Sequence, residues 1–429
     1  MSALRIIVIG GGPAGMMAAI RAAALHQGVT LLEKKPTLAN KLLLSGKGRC
    51  NLTNACDLDQ FLKRFSHNGA FLRDAFKKFF NRELMDFFES RGLRLKVERQ
   101  ERVFPVSDCS ASILEVLKKE LERNKVNVIY KAQVRVIALE SGAVSGVELL
   151  GGKLLAADKV ILATGGVSYA FTGSSGEGLK IVEGLGHKVT SLRPGLVPLK
   201  TAQKWVKDLE GLTLRNIRLT FTDGKKEIVS EIGELMFTGF GISGPLVLTL
   251  SGKIVDWLGE KKPVGVEIDL KPALSGQQLD ARLLREFSAT SRKSIRNVLK
   301  ELLPQRLVDC FLGLAPSLKG VGRAAPVGLA KINPDKQAAQ VTRQEREIVV
   351  KLLKGFRLDI SGSLALEEAM VTRGGVSLKE IDPRTMESRK VKGLYLCGEL
   401  IDIDADTGGF NLQAAFSTGY LAGESAALS

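Results

Sequence analysis

Gly10, Gly12 and Gly15 stand in the spacing G-x-G-x-x-G, within Gly10-Gly11-Gly12-Pro13-Ala14-Gly15. Glycines so placed can lay backbone N–H groups against a pyrophosphate. Gly10 allows a tight turn, Gly12 puts no side chain in the path of the phosphates, and Gly15 lets a helix pack closely on a strand. Pro13 and Ala14 open that helix, whose free N–H groups and partial positive charge favour an anion. Glu33 is an acid able to accept hydrogen bonds from ribose hydroxyls. The glycines alone are a weak signal, and their setting strengthens it. The apolar run Ile6-Ile7-Val8-Ile9 precedes them, a helical stretch follows over 16–25, and a second apolar run, 29–32, ends at Glu33. This is the order strand, turn, helix, strand, acid of a dinucleotide-binding βαβ unit. Three glycines and Pro13 interrupt the apolar stretch, so a signal peptide is not expected.

Three further segments should join this turn at the carboxyl ends of strands, where an open α/β sheet binds ligands. The first is Ser45-Gly46-Lys47-Gly48-Arg49-Cys50-Asn51-Leu52-Thr53-Asn54, a loop of small residues. Gly48, Cys50 and Asn51 are assigned to the cofactor, and Arg49 to its pyrophosphate. Lys34 and Lys41, just after the second strand, are assigned with them. The second is Ala163-Thr164-Gly165-Gly166, from which Thr164 and Gly165 are taken. The third runs from Gly398-Glu399 past Asp402, Asp404, Asp406 and Gly409 to Asn411 and Leu412, where a last helix begins.

The elements that must position these loops follow from the rest of the chain. Its 429 residues suit two or three domains. The apolar runs fall well short of a bilayer span, so no integral membrane association is expected. Cys50, Cys56, Cys109, Cys310 and Cys397 form no C-x-x-C pair, and the three histidines are scattered. Neither a disulfide framework nor a metal site is expected, and a reducing cytoplasm is the expected compartment. Phe76, Phe79, Phe80, Leu84, Phe87 and Phe88 recur at helical spacing over 73–91, and Ser112 with Glu115 reads as a capping box. After Pro194 the pattern turns to strands, with a hairpin turn at Asp223-Gly224, and from Pro272 it turns helical. The expected division is a Rossmann-like FAD-binding domain over 1–193, a β-rich insertion over 194–271, a basic helical domain over 272–344, a return to the β-rich domain over 345–356, and the second part of the FAD domain over 357–429. The fold class is thus α/β, of the glutathione-reductase-like kind, split by a β-barrel-like insertion that carries a small helical domain.

The motifs, taken together, resemble the YhiN/BaiN-like flavoprotein family, which includes aminoacetone-oxidase-like enzymes. They are the glycine fingerprint; Gly48-Arg49-Cys50-Asn51-Leu52-Thr53-Asn54; Ala163-Thr164-Gly165-Gly166 with 172–178; 237–245; Val371-Thr372-Arg373-Gly374-Gly375-Val376; Thr385-Met386-Glu387-Ser388; and 398–415. They run nearly end to end. One departure is Gly239, where the family is expected to carry a histidine. The resemblance implies non-covalent FAD, with NAD(P)H as a transient reductant, and an oxidoreductase acting on steroid-like enones, aminoacetone-like amines or a uridine of large-subunit ribosomal RNA. Cys50 is the candidate acid of such a reduction. The N-terminus of the last helix, at Asn411, can aim its dipole at the O2/N1 edge of a flavin. A second G-x-G-x-x-G, 239–244, follows a short polar segment and is not expected to build a nicotinamide fold.

Charge bears on the substrate. The chain carries a net +16, and between Arg282 and Lys331 stand ten basic and three acidic residues, among them Asp309, Lys319, Arg323 and Lys331. Arg292, Arg296 and Lys300, at i, i+4 and i+8, are expected on one helix face, a stripe able to neutralise phosphates. Ribosomal RNA docked on this insertion is therefore the expected partner, and reduction of its uridine to dihydrouridine the expected reaction.

Overall fold

A computed structural model describes residues 4–308, 310, 312 and 333–429. It divides into two compact units, one of residues 1–196 with 365–429, the other of 197–364.

The first unit is built on a five-stranded parallel sheet. Its order is Leu394–Leu396, Lys159–Leu162, β1 (Ile6–Ile9), β2 (Val29–Glu33) and Asn127–Tyr130. The apolar residues of β1 are buried on both faces, as a parallel sheet covered by helices requires. The register aligns Ile9 with Leu162 on one side and with Leu32 on the other. The glycine turn, the 163–166 loop and the end of β2 therefore leave the sheet at the same edge. Helix α1 (Pro13–Leu25) covers one face, and the terminal helix Phe410–Leu428 lies against it. Their approach is unusually close, because a Cβ added at Gly419 or Gly423 would run into the Ala14 or Ala18 carbonyl oxygen.

The second unit is an antiparallel barrel. Thr213–Thr222, Gly233–Thr238, Gly241–Ser243, Leu199–Thr201, Phe356–Ser363 and Val264–Asp269 pair in that order, and the last returns to pair with the first. Closure leaves these strands without a free edge. Pro245–Gly259 follows the hairpin of Gly233–Thr238 and Gly241–Ser243, and Gly276–Ala289 packs with Arg343–Lys354. The architecture is thus the Rossmann-like domain split by a barrel that carries a small helical part.

Several local expectations fail for identifiable reasons. The phenylalanine-rich stretch is two helices, Arg73–Lys78 and Asn81–Glu89, because Phe79 takes an extended backbone between them. The Ser112 capping box does not form: the helix starts at Ser110, so Ser112 lies inside it. Residues expected to return to the β-rich domain at 345 are helical to Lys354, and the barrel's strand Phe356–Ser363 occupies ground assigned to the FAD domain. The second glycine fingerprint, by contrast, behaves as expected: it turns an antiparallel hairpin and not a βαβ unit.

The helix seam gives a direct test. Gly419→Val should lower stability by about 1–3 kcal/mol through overpacking. Gly184→Ala, on a helix with open space around it, should be neutral or slightly stabilising. Urea unfolding of both variants measures this.

Candidate active site

The glycine turn has the geometry that its sequence implies. Gly10 takes φ +106°, and a Cβ there would stand 2.5 Å from the Ala163 carbonyl oxygen. A side chain at Gly15 would overlap the Gly10 carbonyl. Gly12 differs from both: nothing lies within 4 Å of where its Cβ would be. No side chain caps α1, and Pro13 at its first turn has no N–H to satisfy. The donors at the start of α1, from Ala14 and Gly15 onward, thus open on unfilled space suited to a diphosphate. Glu33 stands at this turn, its carboxylate accepting from Gly11 N–H at 2.8 Å and Lys35 N–H at 2.7 Å. Both oxygens keep lone pairs for ribose hydroxyls.

The other assigned residues fall into three groups. The first is a network. Lys41 donates to both oxygens of Glu399, at 2.8 and 2.6 Å, and to Ser168 Oγ at 2.7 Å. Glu399 also accepts from Ser168 Oγ and from Thr372 N–H. Thr372 Oγ1 in turn accepts from Val167 N–H and Ser168 N–H. Gly398 N–H donates to Thr418 Oγ1 at 3.0 Å, which ties this segment to the terminal helix. Ser168 was not singled out from the sequence, and Thr372 entered only as part of the 371–376 motif, with no role of its own.

The second group supports the start of the terminal helix. Gly409 caps it with φ +96° and lies against the Thr53 backbone. The Asn51 amide, oriented to satisfy both sides, donates to the Thr53 and Val103 carbonyls and accepts from Gly409 N–H. The Asn411 side chain accepts from Ala405 N–H and donates to the Ala405 and Asp406 carbonyls. Leu412 is half-buried in the first turn. No side chain caps this helix either, so its N-terminal dipole is available to a ligand. Gly48 and Gly165 are turn glycines at positive φ, and Thr164 Oγ1 is buried without a hydrogen-bond partner. Lys34 is held by Ser175 Oγ and Glu177.

The third group departs from expectation. Arg49 does not turn to a pyrophosphate. Its guanidinium bonds Glu98 and Asp108 and lies over the Phe104 ring, 4.2 Å from its centroid. Two carboxylates already satisfy its charge, and the pairing holds the Glu98 carboxyl below the usual carboxylate range. Cys50 is not placed as a proton donor. It is fully buried, and burial pushes its thiol up to about 12. Arg292 lies in the turn after Gly276–Ala289, Arg296 is half-buried on the short helix Ile295–Leu299, and Lys300 follows that helix. The three do not form a stripe on one helix, because the segment breaks before Ser294. Asp309, Lys319, Arg323 and Lys331 lie outside the described residues.

A family model described as HI0933-like protein Rossmann domain matches residues 4–425. The chain belongs to the HI0933-like family of FAD-dependent oxidoreductases. It is 34% identical to a 3-dehydro-bile acid delta(4,6)-reductase of Clostridium scindens over 99% of each chain. It is 31% identical to a ribosomal RNA dihydrouridine synthase of Escherichia coli over 96% of each. A 3-ketosteroid delta1-dehydrogenase from Sterolibacterium denitrificans shares the fold at 13% identity, TM-score 0.50 and 99% coverage of both chains. The open N-termini of α1 and of the terminal helix, the clear space at Gly12 and the Glu33 carboxylate fit FAD. Among the described residues no helix is long and apolar enough to cross a membrane, and no group of side chains could hold a metal ion.

Two predictions follow from this geometry. Gly12→Val meets no protein atom at its Cβ, so the variant should fold normally yet purify without flavin; normal flavin absorbance would contradict the pyrophosphate assignment. With a thiol near 12, Cys50 should be thiolate in on the order of one molecule in ten thousand at pH 8. Iodoacetamide should then label exposed Cys109 in the native protein and reach Cys50 only after unfolding, as peptide mass mapping would show.

Proposed function

We propose that this protein reduces a carbon–carbon double bond conjugated to a carbonyl, and that its substrate is a uridine of large-subunit ribosomal RNA. The observation that carries the substrate is charge. A net +16, with seven excess positive charges between Arg282 and Lys331, suits a polyanion far better than a neutral metabolite. The relative named a ribosomal RNA dihydrouridine synthase supports this reading. So does the shared chemistry of the two named relatives, since each reduction acts on an electron-poor double bond. FAD, when bound, supplies a two-electron carrier that takes hydride from a nicotinamide and gives it to such a carbon.

The residues have distinct roles in this reading. The first turn of α1 binds the diphosphate, and Glu33 the adenosine ribose. The N-terminus at Phe410 and Asn411 favours the negative charge that gathers on the O2/N1 edge during reduction. Glu399, fixed by Lys41, Ser168 and Thr372, keeps the intervening loops in place. Arg292 and Lys300, both exposed, belong to the RNA-docking surface. A small-molecule enone is the second reading, favoured by the 34% identity to the bile-acid reductase across the whole chain.

Mass-spectrometric mapping of ribosomal RNA from a deletion strain decides between them. One dihydrouridine should disappear and return with the wild-type gene. RNA affinity should fall steeply with salt, and reversing Arg292 and Lys300 to Glu should flatten that dependence by about 0.7–0.9 per lost phosphate contact. An unchanged modification map, with turnover of a steroid 4-en-3-one, would replace the RNA reading by the second.

A further inference from the structure

The alternation Asp402, Asp404, Asp406 just before the terminal helix has no part in the cofactor assignments. Asp402 and Asp404 are buried. Asp404 Oδ1 accepts from Ser66 Oγ at 2.6 Å, and the same hydroxyl lies 2.9 Å from His67 Nδ1. His67 keeps about half of its side chain in solvent, with Nε2 3.7 Å from Asp402 Oδ1. A continuous path of hydrogen-bonding atoms therefore leads from solvent to a buried carboxyl: His67 Nε2, His67 Nδ1, Ser66 Oγ, Asp404 Oδ1.

The far end of the path is held against the candidate cofactor residues. Asn411 binds both the N–H and the carbonyl of Ala405, the residue after Asp404. Ser66 N–H donates to the Asp404 carbonyl, and Phe65 pairs with Ala405. On the other side Arg373 Nε stands 3.6 Å from Asp404 Oδ2, beside Thr372, whose N–H binds Glu399.

We propose that Asp404 is the proton donor that completes reduction of the substrate double bond, and that Ser66 and His67 recharge it from solvent. This rests on the double-bond reduction proposed above. With FAD bound, a hydride would be supplied to the carbon β to the carbonyl, and the electron pair of the double bond would move to the α carbon. That pair takes the Asp404 proton, leaving a carboxylate. Ser66 then passes its hydroxyl proton to Asp404 and receives one from His67 Nδ1, while His67 Nε2 takes a proton from water. The net change is one hydride and one proton added across the double bond.

The surroundings suit an acid of this kind. Burial pushes the Asp404 carboxyl up from the usual range, and the neighbouring Asp402 charge adds to this. The Ser66 hydroxyl, Arg373 and His67 oppose that shift. A carboxyl whose neutral form burial favours, beside a guanidinium that steadies its anion, can both hold and release a proton. Arg64 stands 3.9 Å from Asp406.

The test separates proton delivery from flavin chemistry. Flavin in the holoenzyme is reduced with dithionite, and its reoxidation is followed by stopped flow with a uridine-containing ribosomal RNA transcript, with a steroid 4-en-3-one and with oxygen. Asp404→Asn should slow reoxidation by the alkene roughly 100-fold or more and leave reoxidation by oxygen and flavin content unchanged. Ser66→Ala should slow it less, and His67→Ala should be restored by added imidazole. Independently of turnover, infrared difference spectra over a pH series should show a carboxyl that stays protonated above the usual carboxylate range and that Asp404→Asn removes. An unchanged alkene rate in Asp404→Asn, or the absence of that carboxyl signal, overturns the proposal. If the wild type is reoxidised by neither alkene, the double-bond reading fails, and the infrared signal alone then decides whether Asp404 holds a proton.

Discussion

The approach of α1 to the terminal helix is the constraint on which the rest of the first unit depends. Ala14 and Ala18 face Gly419 and Gly423 with no room for a Cβ, and Gly398 also approaches Ala14, an added Cβ standing 2.8 Å from the Ala14 Cβ. One helix starts at the glycine turn and the other at Gly409, so packing them backbone to backbone fixes where both N-termini begin. Two uncapped N-termini placed by one seam make two partial positive charges, one suited to a diphosphate and one to a ring that gains negative charge. Larger residues would still form helices, but they would move these charges apart.

A second layer of contacts converts that seam into a site. Four segments from distant parts of the chain each supply one member of the Lys41, Ser168, Thr372 and Glu399 network. Losing one partner would leave a partly buried polar group unpaired, so the network resists independent movement of any of these segments. Arg49 does the same work on the opposite side by joining Glu98 to Asp108. These cations are paired with carboxylates of the protein, and the proposed phosphate contacts fall to backbone N–H groups.

The βαβ opening was legible because its signal is local. A turn needing φ > 0, a helix start and two buried strands all fall within Ile6–Glu33, and no distant residue has to be known. The barrel was partly legible, since alternation marks Thr213–Thr222 and Asp223-Gly224 marks its hairpin, but closure depends on pairings between Thr213–Thr222 and Val264–Asp269. Its end was misplaced because Phe356–Ser363 follows a helix and carries no boundary residue of its own. At the site, glycines and Glu33 could be read one by one. The side-chain partners could not: Arg49 and Asp108, or Lys41 and Glu399, lie 59 and 358 residues apart. For the same reason a conspicuous thiol beside an arginine, Cys50, attracted a role that burial denies it, while Ser66, His67 and Asp404 passed without one.

The central claim is that the seam of two helices positions FAD. A crystal structure of the flavin-loaded protein tests it most directly. The diphosphate should lie within hydrogen-bond distance of the backbone N–H groups of Ala14 and Gly15, with the O2/N1 edge of the flavin facing the N–H groups at the start of Phe410–Leu428. A diphosphate bound instead by the 46–49 loop, or a flavin turned away from the terminal helix, would contradict the account.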